Sequence, residues 1–321
     1  MTQLRMGLVL YSHHNEQEKS VELEWILIGI LEQKIKFIKR EIILSAFSRS
    51  DSPSLIFQKM REALQAYYKS KHICTGRLRI AVSASAIKSA VLGNLCVSPQ
   101  CKTEKNSEFL LVLAHLKQHW GEGLNELSVD FKRISDQQVL IVSCPRELIY
   151  QAELLSLKRI PVDIVEPSMH ALLRLLQQTK VAKNIGNIED FPAATFAFFW
   201  MDEMFGMKKY RLSVCQGFQI IWDHVLANFD FRSELVNVAQ SHAFNVAFEA
   251  YAADPMAFSK WGPPSCIYLW IEPAWEAMLT QVLNDFLKAK NWSTSRMTSC
   301  LPVDFGLQAA DEFVPLGLAI R

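Results

Sequence analysis

Hydrophobic and polar positions alternate or cluster along the first quarter of the chain in a way that predicts regular elements. The segments "LRMGLVLYS", "VELEWILIG", "KIKFIKREIIL" and "GRLRIAVSA" are short and apolar or alternating, as is typical of strands. After the third of them, Ser52-Pro53 precedes apolar residues at helical spacing, namely Leu55, Ile56, Met60, Leu64 and Tyr67. The predicted order is strand, strand, strand, helix, strand.

Residues 194–272 repeat this order. The predicted strands are "ATFAFFW", "KKYRLSVCQ", "FQIIWDHVL" and "SCIYLWI", and a helix over about 233–252 precedes the last of them. Two runs with the same order of elements indicate an internal duplication. The sequence therefore predicts an α/β protein of actin-like architecture, with two β-β-β-α-β halves that face each other across a cleft.

An additional segment interrupts the first of these halves. Residues 105–165 predict helix, strand, strand, helix and strand, with the two central strands forming a hairpin around Ser135-Asp136. A polar segment marked by Gly and Pro, "VAKNIGNIEDFPAA", then separates the two halves. We predict a first half over 1–180 with an inserted α+β subdomain over about 94–165, a linker over 181–193, and a second half over 194–321.

Composition and charge restrict the class of protein. The chain has 321 residues and a net charge of +1, which gives no electrostatic reason to expect nucleic-acid binding. It has no apolar run long enough to cross a membrane and no signal peptide near its first residues, and its seven cysteines are scattered. A cytoplasmic protein is therefore expected, and the cysteines are interpreted as small core residues.

Five segments of the chain form a recognisable series. They are an acidic-aromatic strand, an apolar strand, a short strand that contains Pro, a helix with an Ala-Leu-x-Arg core and a closing apolar segment. In this chain these are Val129-Asp130-Phe131, Val139 to Val142, Ile160-Pro161-Val162-Asp163, Ala171-Leu172-Leu173-Arg174 and Pro315 to Arg321. This series resembles the PilM family, the actin-like proteins of type IV pilus assembly. The nearest type is the divergent HofM or competence ComA-like member, which takes part in DNA uptake.

The resemblance implies an assembly role. Members of the family are cytoplasmic and bind the cytoplasmic tail of PilN, an inner-membrane protein, so they reach the membrane through that partner. The resemblance places the tail in a groove between the first subdomain and the insertion at 94–165. A PilN/HofN-like protein is thus the expected partner, in a type IV pilus or DNA-uptake (competence) apparatus.

A nucleotide site of this architecture needs a particular chemistry in each half. An Asp organises Mg²⁺, which prefers oxygen ligands, and a nearby Gly lets main-chain N–H groups approach the phosphates. The first hairpin, "MGLVLYSHHNEQ", has Val9 and Tyr11 at these positions, so Ser12 and His13 are the nearest polar candidates. The second hairpin offers Asp202, either as a residue lining the cleft or as an ordinary turn carboxylate.

The third nucleotide-binding element also departs from the pattern, because Glu272-Pro273-Ala274 stand where glycines belong. The sequence therefore predicts a protein without catalytic residues, a pseudoenzyme for which no cofactor is expected. The alternative hypothesis is an ATP-binding protein, an ATPase or kinase of the actin-like superfold. A third possibility is the cytoplasmic domain of a type II secretion protein, a family that usually carries a membrane span.

Other polar residues support no further site. His115 and His119 lie four positions apart on a predicted helix, but no third metal ligand accompanies them, so no metal site is predicted. Ser83 follows an apolar strand without the context of a serine hydrolase and is interpreted as an ordinary loop serine. The lysines of "KIKFIKR" are interpreted as the solvated face of an edge strand.

Overall fold

The computed structural model describes residues 3–15, 20–32, 34–47, 53–83, 86–92, 112–114, 116–118, 125–135, 138–178, 195–202, 209–216, 219–226, 238–255, 257–269, 273–292, 296–299 and 312–320. Within these residues, strands and helices form a mixed α/β fold. Two five-stranded sheets and one three-stranded sheet account for the strands.

The first sheet is built mainly from the beginning of the chain. Its order is β3-β2-β1-β4-β8, with β1 at Arg5–Asn15, β2 at Ser20–Leu31, β3 at Lys34–Phe47, β4 at Arg77–Val82 and β8 at Val162–Pro167. Helix α1, Pro53–Ser70, connects β3 to β4 and begins at the predicted proline. Strands β1, β2 and β3 pair antiparallel, whereas β4 runs parallel to β1 and to β8.

The second sheet repeats the strand order of the first sheet, when its strands are counted along the chain from β9. The order is β11-β10-β9-β12-β13, with β9 at Thr195–Asp202, β10 at Lys209–Gln216, β11 at Gln219–Leu226, β12 at Cys266–Leu269 and β13 at Arg296–Ser299. Strand β12 is parallel to both β9 and β13. The predicted order of strands is thus present in both sheets, while their origin by duplication and the division into domains stay predictions.

The small sheet has the order β5-β7-β6, with β5 at Lys88–Leu92, β6 at Leu127–Ser135 and β7 at Gln138–Pro145. The predicted hairpin of β6 and β7 is confirmed. Strand β5 has no counterpart in the sequence prediction, and β8, which falls within the predicted insertion, pairs with β4 of the first sheet instead.

The remaining described helices connect or cover these sheets. They are α2 at Arg146–Glu153, α3 at Ser168–Gln178, α4 at Val238–Ala253, α5 at Phe258–Trp261, α6 at Pro273–Lys290 and α7 at Phe313–Ile320. The pattern of "RELIYQAELLSLKR" predicts a longer helix than α2. Leu157 and Ile160 exchange two main-chain hydrogen bonds just beyond it, and this tight turn directs the chain into β8 instead of prolonging the helix.

Both faces of the first sheet are covered, which explains why its central strands are continuously apolar. On the α1 face, Met6, Leu8 and Leu10 of β1 belong to one core cluster together with Phe57 and Leu64. On the opposite face, the buried Val9 belongs to a second cluster that continues into α3, α7 and the second sheet. One apolar core is therefore shared between the two large sheets.

The last helix, α7, packs on the first sheet. A Cβ atom built on Gly7 of β1 would lie 1.9 Å from the main-chain oxygen of Pro315, and one on Gly317 would lie 2.1 Å from that of Ala171 in α3. Glycine at both places permits helix, strand and helix to approach backbone to backbone. Helix α7 falls within the predicted second half, 194–321, and packs extensively on β1, β2, β4 and α3.

Candidate functional site

Two serines meet at one edge of the first sheet because the strands that precede them are parallel neighbours. Val82, the last residue of β4, lies opposite Pro167, the last residue of β8. Ser83 directly follows β4, and Ser168 directly follows β8 as the first residue of α3. Carboxyl ends of parallel strands are where α/β folds commonly place ligands, so this edge is the natural place to look for a site.

Asp202, the last residue of β9 in the second sheet, faces these two serines. The Ser83 Oγ donates to one carboxylate oxygen of Asp202 at 2.9 Å, and the Ser168 Oγ donates to the other at 2.8 Å. The Asp202 side chain is only 2% exposed. The two large sheets are therefore joined at this point by buried side-chain hydrogen bonds.

A second set of polar groups holds Asp202 from within its own sheet. On β10, the Arg211 guanidinium lies 3.5 Å from Asp202 and also binds both carboxylate oxygens of Asp223 on β11. Ser213 lies directly opposite Asp223 and donates to it at 2.6 Å, while the Trp200 indole donates to Ser213 at 2.9 Å. Cross-strand neighbours of this kind are natural partners on one face of a sheet.

Burial shifts the acid–base behaviour of Asp202. Removal from water raises the pKa of its carboxyl group, because the charged form loses hydration; the charge of Arg211 and the hydroxyls of Ser168 and Ser83 oppose this shift only in part. The same network keeps Arg211 charged, since its hydrogen bonds to Asp223 raise the pKa of the guanidinium despite burial.

The predicted site residues differ in their environment and in how much of each the structure describes. Asp202 is at a strand end and engaged with both sheets, so it is neither an exposed turn carboxylate nor a residue open to solvent. Ser12 and His13 lie in β1, with their backbones opposite Leu23 and Glu22, and their side chains are outside the described part of the structure. His115 and His119 also lie outside the described residues.

The actin-like resemblance suggests a magnesium-binding Asp in each half, and the first of these positions holds Val9. Val9 is 3% exposed within the shared apolar core, and its side chain has no oxygen. Both carboxylate oxygens of Asp202 already accept hydrogen bonds. Within the described ranges, moreover, no three His, Cys, Asp or Glu side chains cluster closely enough to hold a metal.

Sequence reasoning did not identify Arg211, Ser213 or Asp223, and it left Ser83 as a loop serine. One signal was available: Arg211 and Ser213 alternate with Leu212 and Val214 along β10, which predicts a polar face. That this face is buried depends on the packing of the first sheet against it, and the pattern along one strand contains no information on such packing.

Comparisons with known proteins reveal similarity of fold. No protein-family model matches this chain, and no curated protein matches it in sequence. Among solved structures, it is similar to a chain of the "PilM-PilN type IV pilus biogenesis complex", with a TM-score of 0.56 and 15% identity over 99% of this chain and 98% of that chain. This likeness is one of fold, and it agrees with the α/β class and the PilM-like order of elements predicted from the sequence.

A second solved structure, described as the cytoplasmic domain of EpsL, an inner-membrane component of the type II secretion system of Vibrio cholerae, covers 82% of each chain. Its identity is 8% and its TM-score 0.41, so this likeness is much weaker.

Among the described helices, none is both long and apolar enough to cross a membrane.

Proposed function

We propose that this chain is a cytoplasmic scaffold of a type IV pilus or DNA-uptake apparatus that binds the cytoplasmic tail of a PilN/HofN-like inner-membrane protein. The observation that supports this most strongly is the likeness of fold, over nearly the whole of both chains, to a component of a PilM-PilN complex. The chain would then be peripheral to the inner membrane and reach it only through its partner.

We also propose that the chain is not an enzyme. Val9 and Asp202 stand where an actin-like nucleotide site would need a magnesium-binding Asp in each half, and the first is buried in the core while the second is engaged by Ser83 and Ser168. Function has to be argued from the site because one fold serves many activities. This arrangement favours a scaffold over an ATPase or kinase.

The groove proposed for the partner lies between the first sheet and the small sheet. Helix α2 lies at this junction, since it contacts β8 of the first sheet as well as β6 and β7 of the small sheet. Its Tyr150 is 56% exposed, the highest value among the exposed large apolar residues of the described part. Exposed aromatic side chains often anchor a bound peptide, so Tyr150 is the residue through which we would test the groove.

The test is a calorimetric titration of the full chain with a synthetic peptide of the cytoplasmic tail of a PilN-like protein from the same organism. Binding of the wild type is expected, with about a tenfold loss of affinity or more in Tyr150→Ala, since truncation of a central anchor costs about 1.4 kcal/mol or more. Val246→Ala is the matched control, because Val246 is an exposed apolar residue on α4. Absence of binding, with or without Mg-ATP, would contradict the proposal.

A separate titration addresses the enzymatic alternative. Thermal unfolding is followed with increasing Mg-ATP, in the wild type and in Asp202→Ala. The scaffold proposal expects no saturable rise of the melting temperature. A saturable rise that disappears in Asp202→Ala would favour an ATP-binding protein, since a ligand that binds only the folded state stabilises it.

A further inference from the structure

The two large sheets are joined by a polar contact made of three buried side chains. Ser83 and Ser168 belong to the first sheet and to the helix that follows it, and Asp202 belongs to the second sheet. All three side chains are buried. Ser83 and Asp202 are 119 positions apart along the chain, so only the tertiary fold brings them together.

We infer that this contact, termed here the Ser83–Asp202–Ser168 clasp, fixes the two large sheets in one relative position. Its hydrogen bonds connect the end of β9 to the end of β4 and to the start of α3, and they form within the chain without a bound partner.

The two hydrogen bonds of the clasp form only in one relative position of the sheets. One carboxylate oxygen accepts from the end of β4 and the other from the start of α3. Serine side chains are short, so both hydroxyls reach Asp202 only while Val82 and Pro167 keep their parallel register. Hydrogen bonds weaken steeply with distance and angle, and a displacement of about 1 Å between the sheets would break both of them.

Groups behind Asp202 keep its carboxylate in place. Arg211 is held by Asp223 on the neighbouring strand and directs one nitrogen toward Asp202 at 3.5 Å. A buried carboxylate that loses hydrogen-bond donors without regaining water is destabilised, and Arg211 compensates for only part of that loss. Separation of the sheets at this edge therefore requires water to enter, and the closed arrangement is favoured.

The apolar core shared by the sheets has a different role. Residues such as Val9 and Ala81 of the first sheet and Phe199 of the second belong to the same cluster. Apolar contact is attractive but non-directional, so it brings the sheets together without fixing their relative position. The clasp supplies the position, and the core supplies most of the attraction.

Hydrogen–deuterium exchange followed by mass spectrometry tests the clasp in the full chain. The double variant Ser83→Ala/Ser168→Ala removes both donors from the first sheet and changes nothing in the second. We expect the amides of β9 to exchange about tenfold faster or more, because two hydrogen bonds that hold Asp202 are lost. The effect thus appears in the sheet that was not altered.

Ser156→Ala is the matched control. Ser156 accepts a hydrogen bond from the main-chain N–H of Val162 at 3.0 Å, entirely within the first sheet and its connections. Its loss is expected to accelerate exchange near β8 and to leave β9 unchanged. If the double variant behaves like this control, or changes exchange nowhere, the clasp does not couple the sheets and the inference is overturned.

A second variant covers the case in which the double variant does not fold. In Asp202→Asn, one acceptor oxygen is replaced by a donor NH₂ group, so only one serine can still donate. Exchange is then expected to increase at 77–83 and 168–178 of the first sheet, far from the substitution in sequence. An increase confined to β9 and β10 would overturn the inference.

Discussion

Arg79 on β4 donates a hydrogen bond of 3.0 Å to the main-chain oxygen of Leu318 in α7, across 239 positions of sequence. Two further arginines do the same at this helix end, Arg5 to Ile320 at 3.1 Å and Arg174 to Gly317 at 3.0 Å. The last carbonyl groups of a helix have no partner within the helix and attract positive charge. The C-terminus of α7 is therefore fixed to the first sheet by Arg5 and Arg79, and to α3 by Arg174.

Replacement of Arg79 by Met is expected to lower the free energy of unfolding by about 2–3 kcal/mol, because a buried carbonyl group loses a charged donor. Urea unfolding measures the change. Arg77→Met is the matched control. Arg79 and Arg77 both pair with Asp163, but the side chain of Arg77 is 52% exposed. Exposed pairs contribute less than about 1 kcal/mol, so equal effects of the two variants would contradict the assignment.

Gly317→Ala should destabilise the protein by about 1–3 kcal/mol, since the added methyl group forces α7 away from α3. The nearest atom to the new Cβ is the main-chain oxygen of Ala171 at 2.1 Å, which cannot move without its helix. Gly76→Ala provides the comparison, because its nearest atom is the terminal methyl of Met6 at 2.8 Å, and this flexible side chain can move. Thermal and urea unfolding of both variants measure the two changes in stability. A larger loss of unfolding free energy in Gly76→Ala than in Gly317→Ala would contradict the packing of α7 on α3.

We expect the free energy of unfolding to depend on pH through Asp202. Its pKa is raised in the folded state by burial, so the folded protein holds its proton more tightly than the unfolded chain does. The stability it contributes is present below about pH 4, the ordinary range of an Asp, and decreases as the pH rises through the folded-state pKa. The difference in unfolding free energy between wild type and Asp202→Asn should therefore decrease with rising pH, as measured by urea unfolding at several pH values. An increase of that difference with pH would contradict this assignment.

Tyr251 predicts a second dependence, at high pH. Its hydroxyl donates to the Gly262 carbonyl at 2.7 Å, and burial, with a smaller effect of Asp254, raises the pKa of Tyr251 to about 12. Its contribution to stability is present below about pH 10, the ordinary value, and is lost as the pH rises through 12. Tyr251→Phe should cost about 1 kcal/mol at neutral pH, and less as the pH rises. A cost that grows with pH in unfolding experiments would be contrary to expectation.

The first four strands of each large sheet could be predicted, in their order along the chain, because each of them has its own local pattern. In β1, Met6, Leu8 and Leu10 face one core cluster while Val9 faces the other, and such a strand, covered on both faces, is continuously apolar. Helix α1 likewise begins at Pro53, a position where proline is favoured. The short strands β5 and β13 were not predicted, since four or five residues contain too little periodicity.

The candidate site was only partly predictable. Asp202 was found because the resemblance placed a hairpin there, but its partners were not, since Ser168 is 34 positions away and Ser83 is 119. Nothing local distinguishes a serine that donates to a buried carboxylate from one in a solvated loop. Such a distinction depends on which elements pack together, and the sequence pattern of a single element does not specify that.

The close packing of α7 against Gly7 has a consequence for the rate of folding. The face of β1 that carries Gly7 and Val9 is covered by residues 313–320, which lie about 300 positions further along the sequence. Contacts between segments so far apart form slowly, because the entropy of closing the long intervening loop has to be overcome before the contacts stabilise the chain. Until α7 reaches this face, the apolar side chains of β1 are exposed in the partly folded chain, where other chains can aggregate with them.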